Sequence, residues 1–230
     1  MDRGKENRNL TTGNLFKKIV IYIVLLFLAN ALQLLFTTVD IFTVKQFGNG
    51  NLSSGAIGST TNLLNLVVCT IWGITGGASI VIANAKGAKD EEKAKKSIGN
   101  STIIILIASV LVMLFGAFFT RPLLIALNTN EEFLDNATKY LTIYFLGAPF
   151  MLLYNLGGAI LRAFGDTKRP FIAVVVSGVI NVILDFIFVY FLKMDVAGVA
   201  LATILSQGVA AVIVYLYLIK DKRLFANLHI

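Results

Sequence analysis

Residues 170–192 read PFIAVVVSGVINVILDFIFVYFL, and their only charged member is Asp185. As a helix rising 1.5 Å per residue, the run is about 34 Å long, enough to cross a hydrocarbon core of roughly 30 Å. Pro170 suits the first turn of such a helix, because its missing N–H would be unpaired there anyway. A carboxylate inside a membrane segment costs about 2.5–3.5 kcal/mol on insertion scales, so Asp185 marks a functional site.

Blocks of the same kind recur on both sides of this one. Apolar runs cover about 19–44, 52–83, 98–119, 133–161, 170–192 and 196–219. The whole chain of 230 residues is 57% hydrophobic and 14% charged, with mean hydropathy +0.79. Soluble domains average about 45–50% apolar and about 25% charged. The composition excludes a soluble globular protein and predicts an all-α, polytopic membrane protein with six transmembrane helices. The first run is too long for a signal-peptide core and ends without a small-residue cleavage site, so it reads as a retained helix. Residues 1–16 read as a cytoplasmic tail and 17–220 as the helical body.

Charge orients the spans. Arg3, Lys5, Arg8, Lys17 and Lys18 precede the first, and Lys86, Lys89, Lys93, Lys95 and Lys96 join the second to the third. Arg162, Lys168 and Arg169 join the fourth to the fifth, and Lys220, Lys222 and Arg223 follow the sixth. Only Lys45, Arg121, Lys139 and Lys193 fall on the other side. The positive-inside rule then places both termini in the cytoplasm and the protein in the plasma membrane. It also explains the net charge of +7 without nucleic acid as a partner. One cysteine, Cys69, and one histidine, His229, exclude an internal disulfide and a His/Cys metal centre. Pro149 should kink the fourth span, and Gly73, Gly76 and Gly77 suit close approach of a neighbouring helix.

Two acidic residues lie inside spans, Asp40 in the first and Asp185 in the fifth. Both spans run outward, which puts Asp40 about 6 Å and Asp185 about 10 Å below their outer ends. Asn181 shares the Asp185 face one turn away. Thr203 reaches the same depth from the sixth span, and Gln33 lies two turns below Asp40. These residues predict one small oxygen-lined cavity in the outer half of the membrane. Carboxylate, amide and hydroxyl oxygens suit a proton or a hard cation, with sodium held at Asp40, Asn181 and Asp185. The expected chemistry is ion binding with no resident cofactor. No Ser/His or Cys/His pair lies at membrane depth, and Gly48-Asn49-Gly50 lacks the context of a phosphate-binding loop, so no enzymatic site is expected.

Several fragments together carry a resemblance. They are Thr38–Phe42 around Asp40, the stretch Ala83–Asp90, and Ile160–Pro170 (ILRAFGDTKRP). Asn181-x-x-x-Asp185 and Gly198–Thr203 with Ser206-Gln207 complete the set. In this order the chain resembles the multidrug and toxic compound extrusion (MATE) family of cation-coupled antiporters. The resemblance implies twelve spans in two six-helix lobes, of which this chain is the N-terminal one, with 221–230 opening the inter-lobe linker. It implies that Asp40, Asn181, Asp185 and Thr203 bind the driving ion with Gln33 nearby, while Arg162 and Asp166 belong to a structural turn. It further implies export of organic cations against sodium or protons, with a second lobe or a second copy as partner. The alternatives are a lipid-linked oligosaccharide flippase of the same superfamily and a non-transporting scaffold or truncated remnant.

Overall fold

A computed structural model describes residues 15–221. The expected N-terminal tail up to 14 and the linker from 222, with Arg3, Lys5, Arg8, Lys222, Arg223 and His229, lie outside the described residues. The elements are α1 (Leu15–Phe47), α2 (Asn51–Gly87), α3 (Glu91–Ala126), α4 (Glu131–Leu146), α5 (Ala148–Ala163), α6 (Lys168–Asp185), a π-helical stretch Phe186–Phe191, and α7 (Val196–Lys220). Five described helices are long and apolar enough to cross a membrane, and α4 with α5, bent by 50° at their break, passes the same test as a pair, which makes six when the pair is counted as one span. The break falls at Gly147, two residues before Pro149, where the missing proline N–H and its ring favour a fresh helix start.

Each helix end has a local cause. Asp90 caps α3 by accepting from the Lys93 N–H at 2.9 Å, and Glu91 and Glu92 place negative charge at the positive end of the helix dipole. Asn130 caps α4 by accepting from the Glu132 N–H at 3.1 Å. Beyond Asp185 the hydrogen bonds lengthen their step, as in Leu192 N–H to Ile187 O at 3.0 Å, and the span ends in a turn with Lys193 and Asp195 at positive φ. The Asp195 carboxylate then staples this turn to the α1–α2 loop and the first turn of α2. It accepts from Asn49 N–H at 3.2 Å, Asn49 Nδ2 at 2.7 Å and Ser53 Oγ at 2.7 Å. Only glycine fits at position 48, because a Cβ there would overlap Asp195 Oδ1.

α5 forms the centre of the bundle. Leu152, Leu156, Ala159, Ile160 and Leu161 are buried and pack with Ala173 of α6 and Val214 and Leu218 of α7. A second core towards the opposite end joins Val44, Ala56, Leu124, Leu141, Phe145 and Val196. α1 to α3 surround these cores and keep large apolar side chains such as Phe27, Leu34, Leu66, Leu111 and Phe118 exposed. A helix whose outer face is apolar is suited to lipid. The chain is a multi-pass membrane protein. Gly73, Gly76 and Gly77 differ from the sequence expectation: apart from the local backbone of α2 itself, no described atom lies within 4 Å of a Cβ built on any of them. Their face of α2 is not covered by another described helix, so the close contact they suit is not made within this bundle.

Gly116 is the reverse case, since a Cβ there would overlap the Phe145 ring. Gly116→Ala is therefore expected to destabilise the bundle by about 1–3 kcal/mol through overpacking. Gly58→Ala, on an open face, should be neutral or stabilising by up to about 1 kcal/mol. Thermal unfolding of the two purified variants in detergent checks both.

Candidate ion-binding site

One contact sets the register between α1 and α6. The Phe36 ring lies where a side chain of Gly178 would stand, so the two helices approach as closely as a phenyl ring allows. Both helices run in the same direction, so residues advance together from this seat. Asp40, one turn beyond Phe36, comes level with the pair Asn181 and Asp185, which follow Gly178 by three and seven residues. On α6 the buried positions Val174, Gly178, Asn181 and Asp185 form one stripe at helical spacing. On α1 the buried residues are Asp40, Thr43 and Val44, again one face.

The Asp40 side chain faces Asp185, Thr203 and Asn181 at close range. Asp40 is 6% exposed, Asn181 5% and Asp185 0%. Asp40 Oδ1, both Asp185 oxygens and Asn181 Nδ2 are buried without a hydrogen-bond partner among the described residues. No ion pair joins either carboxylate to a described lysine or arginine. The Thr203 hydroxyl donates to Val199 O at 2.9 Å, which leaves its oxygen as an acceptor towards the cavity. Two carboxylates, an amide and a hydroxyl thus converge from three helices, and four of their polar atoms have no partner among the described residues. Two adjacent anions out of water repel each other strongly, and a shared proton or a small cation relieves that repulsion. The donor set is oxygen-rich and fits a hard cation.

Of the five residues expected at the site, the structure brings together Asp40, Asn181, Asp185 and Thr203. Gln33 is half-buried on α1, two turns below, and is not among the groups that meet Asp40. α1 also extends to Phe47, so Asp40 sits about 10 Å below its end, closer to the Asp185 level than the sequence reading placed it.

Sequence reading missed Tyr140 and Tyr144 of α4. Tyr140 is buried within electrostatic reach of both carboxylates, and Tyr144 within reach of Asp40. Their rings lie 6.1 Å apart, and the Tyr144 hydroxyl donates to Met151 Sδ at 3.5 Å. The signal was their four-residue spacing on the stripe that also buries Ala137 and Leu141. At the basic end, Asp166 serves the turn as expected: it accepts from the Arg169 N–H at 3.2 Å and pairs with Arg169 Nε at 3.3 Å.

The MatE family profile matches residues 26–187. The probable multidrug resistance protein YpnP of Bacillus subtilis is 34% identical over 218 residues, covering 93% of this chain and 48% of that protein. A FAD transporter of Shewanella oneidensis is 28% identical over 194 residues, covering 82% of this chain and 42% of that protein. The crystal structure of a MATE protein in the bent conformation superposes with a TM-score of 0.85 at 28% identity, covering 94% of this chain and 48% of that one. The chain spans about half the length of these relatives.

Replacing one of two unpaired neighbouring carboxylates removes repulsion and a buried charge. Asp185→Asn is therefore expected to unfold at the same temperature as the wild type or higher, at neutral pH without sodium. A lower unfolding temperature would show that the carboxylate is satisfied by the fold itself.

Proposed function

The chain belongs to the MatE family, and on that premise we propose that it is the ion-coupling lobe of an antiporter that exports small organic molecules. The reading is carried by the convergence of Asp40, Asn181, Asp185 and Thr203 into one buried oxygen-lined group with no counter-charge among the described residues. In this reading the basic end faces the cytoplasm, as the distribution of lysine and arginine favours, and the protein lies in the plasma membrane. The ion enters from the opposite end, where the site is about 10 Å deep.

The carboxylates exchange the driving ion, a proton or sodium, between the two sides. Asp40 and Asp185 come from different helices, so whatever neutralises both holds α1 against α6. Removing it restores the repulsion and favours separation at this level. An equilibrium between two packings of α1 is thereby biased by the ion, which is the differential interaction coupling requires. Organic cations are the proposed cargo. The second six-helix lobe, or a second copy, supplies the other wall of the path, because transporters of this kind alternate access by rocking one repeat against another. Relatives named for multidrug resistance and for FAD transport each match this lobe over about half their length, which is consistent with a lobe that sets coupling more than cargo choice.

In cells expressing the native gene product, Asp185→Asn is expected to abolish gradient-driven efflux of an organic cation dye while leaving the amount of folded protein within about twofold. Efflux at the wild-type rate in that variant would overturn the coupling role.

A further inference from the structure

Arg162, in the last turn of α5 at the basic end, does not extend toward solvent as a terminal arginine of a membrane helix usually does. Its guanidinium doubles back over the preceding turn, so that a Cβ on Gly158 would lie 3.1 Å from Nη1. Tyr154, two turns back, and Tyr22 of α1 lie within its electrostatic reach. The acidic residue nearest in sequence, Asp166, is engaged by Arg169, which also pairs with Asp221 at 2.7 Å. The Arg162 guanidinium makes no hydrogen bond or ion pair with any described residue.

The side chain borders a partly open cavity of about 20 Å³ between α1, α5 and the start of α6. Its other polar lining comes from Tyr154 and Thr167, with apolar walls such as Leu25 and Pro170, and no acidic residue. Thr167 precedes α6 without its hydroxyl capping that helix, so the hydroxyl is available to the cavity. The guanidinium has donors only, and the hydroxyls donate as readily as they accept. The first turn of α6 adds the positive end of a helix dipole. A cation drawn into a low-dielectric wall without a counter-charge is costly, and an oxyanion offsets it through charge-assisted hydrogen bonds. The volume admits one oxygen atom, so such a ligand inserts a single oxygen and keeps its remainder at the mouth.

We propose that Arg162, with the Tyr154 and Thr167 hydroxyls, forms a phosphate-oxygen site at the basic end of the lobe, distinct from the Asp40–Asp185 group. A phospholipid headgroup and free phosphate share this chemistry, and the test separates them. The purified full chain is equilibrated with phosphatidylcholine vesicles, with and without phosphatidylglycerol, and extracted for native mass spectrometry. In parallel it is titrated with inorganic phosphate in detergent, with thermal stability as the readout. The wild type is expected to retain one phosphatidylglycerol or to be stabilised by phosphate, the first identifying a lipid source and the second a soluble one. Arg162→Gln should weaken that binding about tenfold, while Lys168→Gln, an exposed base outside the cavity, should not. No binding of either probe by the wild type, or equal binding by Arg162→Gln, overturns the site. If Arg162→Gln does not fold, the double variant Tyr154→Phe/Thr167→Val retains the charge and should still weaken binding, and unchanged binding in it overturns the site equally. Binding is read without transport, so this result stands apart from that of the coupling experiment.

Discussion

The seat of Phe36 over Gly178 is the contact on which the site depends. With any side chain at 178 the ring could not occupy its position, and α1 would stand farther from α6. Because the two helices are parallel, this single lateral contact also fixes their axial register. It brings Asp40 to the height of Asn181 and Asp185 and leaves the four polar groups facing one another. The Asp195 staple to Asn49 and Ser53 holds the far end of the same helices from outside, and the π-helical stretch adjusts the length of chain between them. The carboxylates are thus carried by elements anchored at both ends, close enough to repel.

On the proposed reading, that repulsion gives the bundle a use for an ion. A hydrophobic interior with two adjacent carboxylates is less favourable than one with a bound proton or cation, and the difference appears as affinity. The opposite sign occurs at the basic end, where the guanidinium of Arg162 is turned inward without an acceptor among the described residues. The carboxylate group is carried by α1, α6 and α7 and the Arg162 group by α5 and the start of α6, at opposite ends of the bundle. One has an excess of acceptors and the other an excess of donors, and each fits a ligand of the complementary charge. Between them, α5 is buried along nearly its whole length and supplies the rigid axis against which α1, α6 and α7 are placed.

Much of this was legible in the residues alone. Six apolar runs, the clustering of lysine and arginine, and Pro149 fix the number of spans and the site of the bend. The two carboxylates are conspicuous because charge is so expensive in such runs, and helix rise alone brings Asp185 and Thr203 to one depth. Tyr140 and Tyr144 were not legible, since an aromatic pair in an apolar span looks like ordinary core until its neighbours are known. The glycines of α2 misled for a related reason. Small residues permit close contact but do not say whether a partner is present, and within this bundle none covers Gly73, Gly76 or Gly77.

What the sequence determined by itself is therefore the membrane, the helices, and the identity of the costly residues, because hydropathy and charge act locally and along one axis. What only the tertiary structure decided is which faces meet. Depth can be counted from a helix end, but azimuth depends on contacts such as a phenyl ring over a glycine 142 residues away. The convergence of Asp40 with Asp185, the exclusion of Gln33 from that group, and the inward turn of Arg162 all depend on that angular coordinate. Side-chain packing fixes it between helices, and no single helix encodes it.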